Sequence, residues 1–350
     1  MRHGHWAALA LALLCTMGRA VPADLSSSQS SENVPRIDAV AFFGYEGLDL
    51  DAVRLSLPIR EGDELPSAEA EMLEWTDRLR TAIKASTGSW PTDVAVMCCS
   101  SPNHYYVYIG LPGKSTSKVA FHPLPAGHER LEPAFLALCR DVEQAFVDAV
   151  YAGKAAEDYS HGYSLSTDSP ELRALQLSVR DYAQDHASAL VAVIRGSSDA
   201  THRAFAATAL GYGTHDASQT RALADAILDS DERVRNAAMR ALGVMLRAEP
   251  GKARHIDITP LVSLLKSGTW MDRNKASFLA SQMTQGRDAR ILNILRTQAL
   301  PQLKEMARWP RGHSATALQM LGRIAGIEEG RLEAMVAAGR AEDLIDLAQR

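Results

Sequence analysis

Asp231-Glu-Arg-Val-Arg235, running on to Ala241-Leu242-Gly243, restates a skeleton met 32 residues earlier as Asp199-Ala-Thr-His-Arg203 and Ala209-Leu210-Gly211. A fixed period of this length marks stacked helix pairs, because one such unit cannot bury its apolar face alone. In the later copy Val234, Ala237, Ala238, Ala241, Leu242 and Met245 fall on one stripe of a helix. Shifted back, the stripe reads His202, Phe205, Ala206, Ala209, Leu210 and Gly213, weaker at its two ends. Asp199 and Asp231 stand where an N-cap carboxylate accepts amide protons. Gly211 suits a helix end, whereas Gly243 falls inside a helix that continues to about Leu246. Between the copies Leu223, Ala224, Ile227 and Leu228 form a second stripe, so each unit reads as cap, helix, turn, helix.

The motif Val234-Arg235-x-x-Ala238-x-x-Ala241-Leu242-Gly243, with its looser echo at 203–211, resembles the HEAT-repeat family, in particular the HEAT-like repeats of the phycobilin lyase type. The resemblance implies an α-solenoid. It also implies that the repeat arginines Arg203 and Arg235 are structural, pairing with aspartates between neighbouring units. Asp199 and Asp231 complete the structural repeat positions.

A chain of 350 residues is long enough for two domains, and 46% apolar residues supply a core. A net charge of −5 argues against a general nucleic-acid binder. The charge is uneven: residues from 170 onward carry 24 Lys+Arg against 20 Asp+Glu, and the remainder 13 against 22. An acidic front and a mildly basic back follow.

Residues 1–23 read as a secretory signal, with Arg2 in a short n-region and an apolar run from Trp6 to Cys15. Cleavage is expected after Ala20 or Ala23, and the protein is expected to be exported, periplasmic or secreted. The run is too short to span a bilayer, and no later segment offers a transmembrane anchor. Cys98, Cys99 and Cys139 then remain, an odd number in an oxidising compartment. One reading pairs Cys139 with Cys98 or Cys99; the other leaves three small buried hydrophobes.

Residues 24–35 form a flexible Ser-rich linker. A small α+β domain is expected at 36–124: a strand at Ile37–Phe43, a short helix from Asp49, a longer one over Ala68–Ala85, and two strands joined by Ser-Ser-Pro-Asn. On the longer helix Met72, Trp75, Leu79 and Ile83 share one face. Ile37-x-x-Val40-x-Phe42-x-Gly44, Leu57 and Gly62-Asp63, in the order β-α-α-β-β over 36–122, resemble a POTRA (polypeptide-transport-associated) domain. A connecting helix spans 130–152, a polar loop 154–169, and an all-α HEAT-like solenoid 170–350, with Pro301 breaking or kinking the segment Asp288–Arg308.

Enzymatic motifs are sparse. Gly113-Lys114-Ser115 ends like a Walker A loop, but Tyr108 occupies the place of its first glycine. HExxH and GxSxG are absent, and no Cys/His spacing suits zinc. Glu157, Asp158, Ser160 and His161 lie close together in what reads as a solvated polar loop. No metal or other cofactor is expected. Two successive turns of the solenoid each set a tryptophan among cations. If the register holds, Trp270, Arg273, Lys275, Arg308, Trp309, Arg311 and His313 form one aromatic-basic binding patch for an acidic peptide, a carboxylate or another anionic group. The alternative is that both tryptophans tuck in as packing. The expected function is a non-catalytic adaptor for a protein or peptide partner. Two rivals stand beside it: a phycobilin-lyase-like enzyme or chaperone handling a planar ligand, and an envelope transport or assembly component.

Overall fold

The computed structural model describes residues 34–98, 103–310 and 312–350, with the Cys98 side chain excepted. The expected signal at 1–23, nearly all of the linker, Cys99 and Arg311 lie outside the described residues. Two compact units are distinguished. Among the described residues, the first takes in 34–98 and 103–117 together with Gly268–Trp270 and Arg308–Pro310; the second takes in Lys118–Ser267, Met271–Ala307 and 312–350.

In the first unit, alternating apolar residues and terminal glycines set three strands and two helices in the order β-α-α-β-β. They are β1 (Arg36–Phe43), α1 (Leu50–Ser56), α2 (Glu69–Thr87), β2 (Asp93–Cys98) and β3 (His104–Gly110). β3 lies centrally, parallel to β1 and antiparallel to β2. Gly44, at φ +73°, ends β1 where a side chain would collide with the Leu111 carbonyl and Thr116. Asp49 caps α1 by accepting from the Ala52 amide at 3.0 Å.

A strand's side chains alternate between faces. Phe42, Val94, Val107 and Ile109 therefore join Trp75, Leu79 and Ile83 of α2 in one core, the irregularity between Ile37 and Ala39 brings Ile37 onto the same face, and Met72 packs at the margin. Tyr108 points to the other face and is fully buried by rings of the same unit. Its centroid lies 5.0 Å from Trp270 and 5.2 Å from Trp309, and Phe43 meets Trp309 at 6.1 Å.

The second unit is helical. It opens with α3 (Pro133–Tyr151), the hairpin β4 (Glu157–Asp158) and β5 (Leu165–Ser166), α4 (Pro170–Asp185) and α5 (Ala187–Gly196). α6 (Ala200–Leu210), α7 (Ala217–Ala226) and α8 (Glu232–Ala248) carry the sequence repeat. α9 (Thr259–Leu265), α10 (Trp270–Met283, whose first residue belongs to the first unit), α11 (Ala289–Gln298), α12 (Leu300–Ala307), α13 (Ala315–Ile324), α14 (Glu329–Ala337) and α15 (Ala341–Gln349) follow. The expected loop at 154–169 thus contains a short antiparallel hairpin. The expected single segment over 288–308 is two helices that part at Ala299, since Pro301 tolerates only a first-turn position.

Cys139 corrects the expected bridge to Cys98 or Cys99. It is a free, buried thiol on the α3 face, and burial, with Glu143 beside it, pushes it up to about 12. Such a thiol behaves as a small apolar side chain. Among the described residues no helix is long and apolar enough to cross a membrane.

Candidate functional site

The repeat positions fix the helices that carry the site. Asp199 and Asp231 each accept a hydrogen bond from the amide two residues on, at 2.8 and 2.9 Å, and so cap α6 and α8. Arg203, fully buried on α6, donates from Nε and Nη2 to the two Asp229 oxygens, both at 2.8 Å. Arg235, on α8, does the same to Asp272 of α10 at 2.7 and 3.0 Å. Each arginine also reaches a backbone carbonyl, Arg203 that of Ser197 and Arg235 that of Asp229. Bidentate pairs of this kind are directional and leave no charge uncompensated. α10 is tied onward to α13: Arg323 donates to the Ser281 carbonyl at 2.8 Å, and the Ser277 and Thr316 hydroxyls meet at 2.8 Å. The helices α6, α8, α10 and α13 are therefore linked in series by polar ties.

Against that series stands the β4–β5 hairpin. Gln176 of α4 holds it by accepting from the Ser166 amide at 2.7 Å, and Arg173 donates to the Ser166 carbonyl at 3.2 Å. The hairpin presents Glu157 to Arg240 of α8, whose Nη2 donates to both carboxylate oxygens at 2.8 and 2.6 Å. Tyr159 donates its hydroxyl to Glu157 at 2.8 Å, and Ser164 donates a further bond. Burial by itself would push the Glu157 carboxyl up; the Arg240 charge and these hydrogen bonds outweigh it and hold the group below the usual range. The Tyr212 hydroxyl, buried beyond α6, meets Gln176 and Ser164, and burial drives it well above its ordinary value. The Arg247 guanidinium lies 4.7 Å from the Tyr159 ring centroid.

Lys275 and His313 complete the cluster. Lys275 is pushed down to about 8, first by burial and then by the neighbouring Arg240 charge, with Glu157 acting the other way. His313 is pushed down to about 4 by burial and by Lys275, which leaves it neutral near pH 7. The register explains the proximity. Arg235–Asp272 and the contact of Gly243 with Phe278 bracket Arg240 and Lys275 on α8 and α10, and His313 lies three residues before Thr316.

Among the described residues of the expected patch, Trp270, Arg273 and Trp309 are buried, which corrects their expected place on a docking surface. Trp270 and Trp309 are each only 4% exposed and belong to the ring cluster of the first unit, with Trp309 Nε1 donating to the Phe42 carbonyl at 3.2 Å. Burying two large aromatic faces gains more than leaving them in water as a docking surface. Arg273 is fully buried, paired with Glu305 at 3.0 Å and donating to the Ser267 carbonyl. Arg308 is exposed in the first unit. Trp270 and Trp309 do meet, at 6.4 Å between centroids, but inside that ring cluster, while Lys275 and His313 meet each other beside Arg240 and Glu157. Arg240, Ser164 and Tyr212 were not singled out by sequence reasoning. Their one signal is Arg240, a cation set between the buried residues Met239 and Ala241 within the apolar run of α8.

Residues 187–280, from the start of α5 through most of α10, match the family model for HEAT repeats. No curated protein sequence matches the chain.

Proposed function

We propose that this protein is an exported, non-catalytic scaffold whose helical-repeat unit holds a protein or peptide partner. The observation that carries the reading is the series α6–α8–α10, tied by the buried pairs of Arg203 and Arg235 along residues 187–280, which match HEAT repeats. HEAT repeats are commonly protein-interaction scaffolds. A surface held by such ties is preformed, so a partner binds it with little loss of ordering entropy. The n-region and apolar run within residues 1–23 support export.

The test is cross-linking of the full chain in cells of its native host, followed by mass spectrometry of the adducts. The reading expects a protein adduct whose links map to the helical unit. Links confined to residues 34–117, or no protein adduct, would overturn it. The β-α-α-β-β order of the first unit favours a second reading, an envelope transport or assembly component. Co-purification of an outer-membrane barrel distinguishes that role from the adaptor.

A further inference from the structure

We infer that Arg240 and Lys275 form a carboxylate-binding site, filled by an acidic side chain or the C-terminal carboxylate of a bound peptide. This rests on the scaffold reading and deepens it by naming the chemical group that the helical unit recognises.

The donor inventory carries the inference. Arg240 uses only Nη2, on Glu157 and Ser164. Among the described residues its Nε and Nη1 make no hydrogen bond, and neither does Lys275 Nζ. The Arg240 side chain is 35% exposed, so its unused donors are open to a ligand. Two cations with spare donors stand on adjacent helices, bracketed by the Arg235–Asp272 pair and the Gly243–Phe278 contact. Glu157, Tyr159 and Ser164 already fix the guanidinium, so binding costs little side-chain freedom.

Charge chooses the ligand. Glu157 from β4 neutralises Arg240 from α8, His313 from the turn before α13 is neutral near pH 7, and Tyr159 and Tyr212 stay protonated. Apart from the exposed Arg247, whose guanidinium lies on the Tyr159 ring, one positive charge, that of Lys275, remains uncompensated. It matches a carboxylate; a phosphate dianion would bring surplus charge beside Glu157. The depressed lysine adds a signature. A bound carboxylate favours the ammonium form, so binding takes up a proton above about pH 8 and weakens as pH rises through that value.

The full chain, labelled with 13C-lysine and 15N-arginine, is titrated by NMR with acetate, acetylglycine (a C-terminal mimic), N-acetylglutamic acid α-amide (a side-chain mimic), acetylglycinamide and inorganic phosphate. Saturable shifts of the Lys275 Cε and Arg240 Nε resonances are expected with the carboxylates, weaker ones with phosphate and none with the amide. The relative response to the two mimics tells which source the site prefers. Lys275→Met should weaken acetate binding about tenfold or more, the scale of one charge-assisted hydrogen bond. Glu157→Gln, which removes the competing carboxylate, should strengthen it. Equal shifts with acetylglycinamide, or acetate binding unchanged in Lys275→Met, would overturn the inference. If cross-linking recovers a partner while Lys275 ignores acetate, the site fails and the scaffold stands; if acetate binds and no protein adduct forms, the site stands and the scaffold fails.

Discussion

Arg235 on α8 and Asp272 on α10, 37 positions apart in the chain, form a buried two-point pair, with Nε donating at 2.7 Å and Nη2 at 3.0 Å. Arg203 and Asp229 repeat the arrangement one unit earlier, 26 positions apart. These pairs fix which helix follows which. Apolar stripes alone would tolerate sliding, because one alanine-rich face resembles another; a bidentate guanidinium does not.

Breaking such a tie is costly. Arg235→Ala leaves Asp272 buried without its cation and should destabilise the chain by about 3–5 kcal/mol. Arg235→Met with Asp272→Leu should recover most of that loss, since it leaves no charge unpaired. Urea unfolding of the single and double variants checks both statements.

Gly243 lies inside α8 against α10, and a methyl group there would overlap the Phe278 ring. Gly243→Ala gains helix propensity but forces the two helices apart. Overpacking wins, so we expect a net loss of about 1–3 kcal/mol despite the better helix former. A thermal melt higher than that of wild type would contradict the close approach.

Trp309 belongs to a core, not a docking surface. Trp309→Ala removes a ring packed on Tyr108 and Phe43 and the hydrogen bond to the Phe42 carbonyl. The cost should be about 3–5 kcal/mol, read by hydrogen exchange in β1 and β3. Unchanged protection with lost partner binding would restore the expected aromatic patch.

The cluster around Glu157 titrates in two directions. Its carboxyl is held low in the folded chain, so its stabilisation is present above the ordinary carboxylate range and fades as pH falls through the folded value. The stability gap between wild type and Glu157→Gln should therefore shrink toward acid. Lys275 is depressed from 10.5 to about 8. Between those values the unfolded chain binds the extra proton, so stability rises with pH, and Lys275→Met should flatten the rise. Denaturant midpoints across pH 3–10 measure both.

Much of the fold was legible because it is local. The 32-residue echo, the caps Asp199 and Asp231, the α2 stripe and the break at Pro301 are all short-range patterns. The site was not, because it joins residues 157, 240, 275 and 313, whose spacing follows no motif. A tryptophan beside cations reads the same whether its ring turns inward or outward. Only the buried position of Tyr108 decides for Trp270 and Trp309. Cys139 shows the same limit, since an odd number of cysteines cannot say which thiol is enclosed in a helix face.

The most direct test of the tied stack is amide hydrogen exchange on the full chain, followed by mass spectrometry, in wild type and Arg235→Ala. If α8 and α10 form one preformed surface, both are strongly protected in the wild type and lose protection together in the variant. Exchange of either helix within seconds in the wild type, or a loss confined to α8 in the variant, would contradict the account.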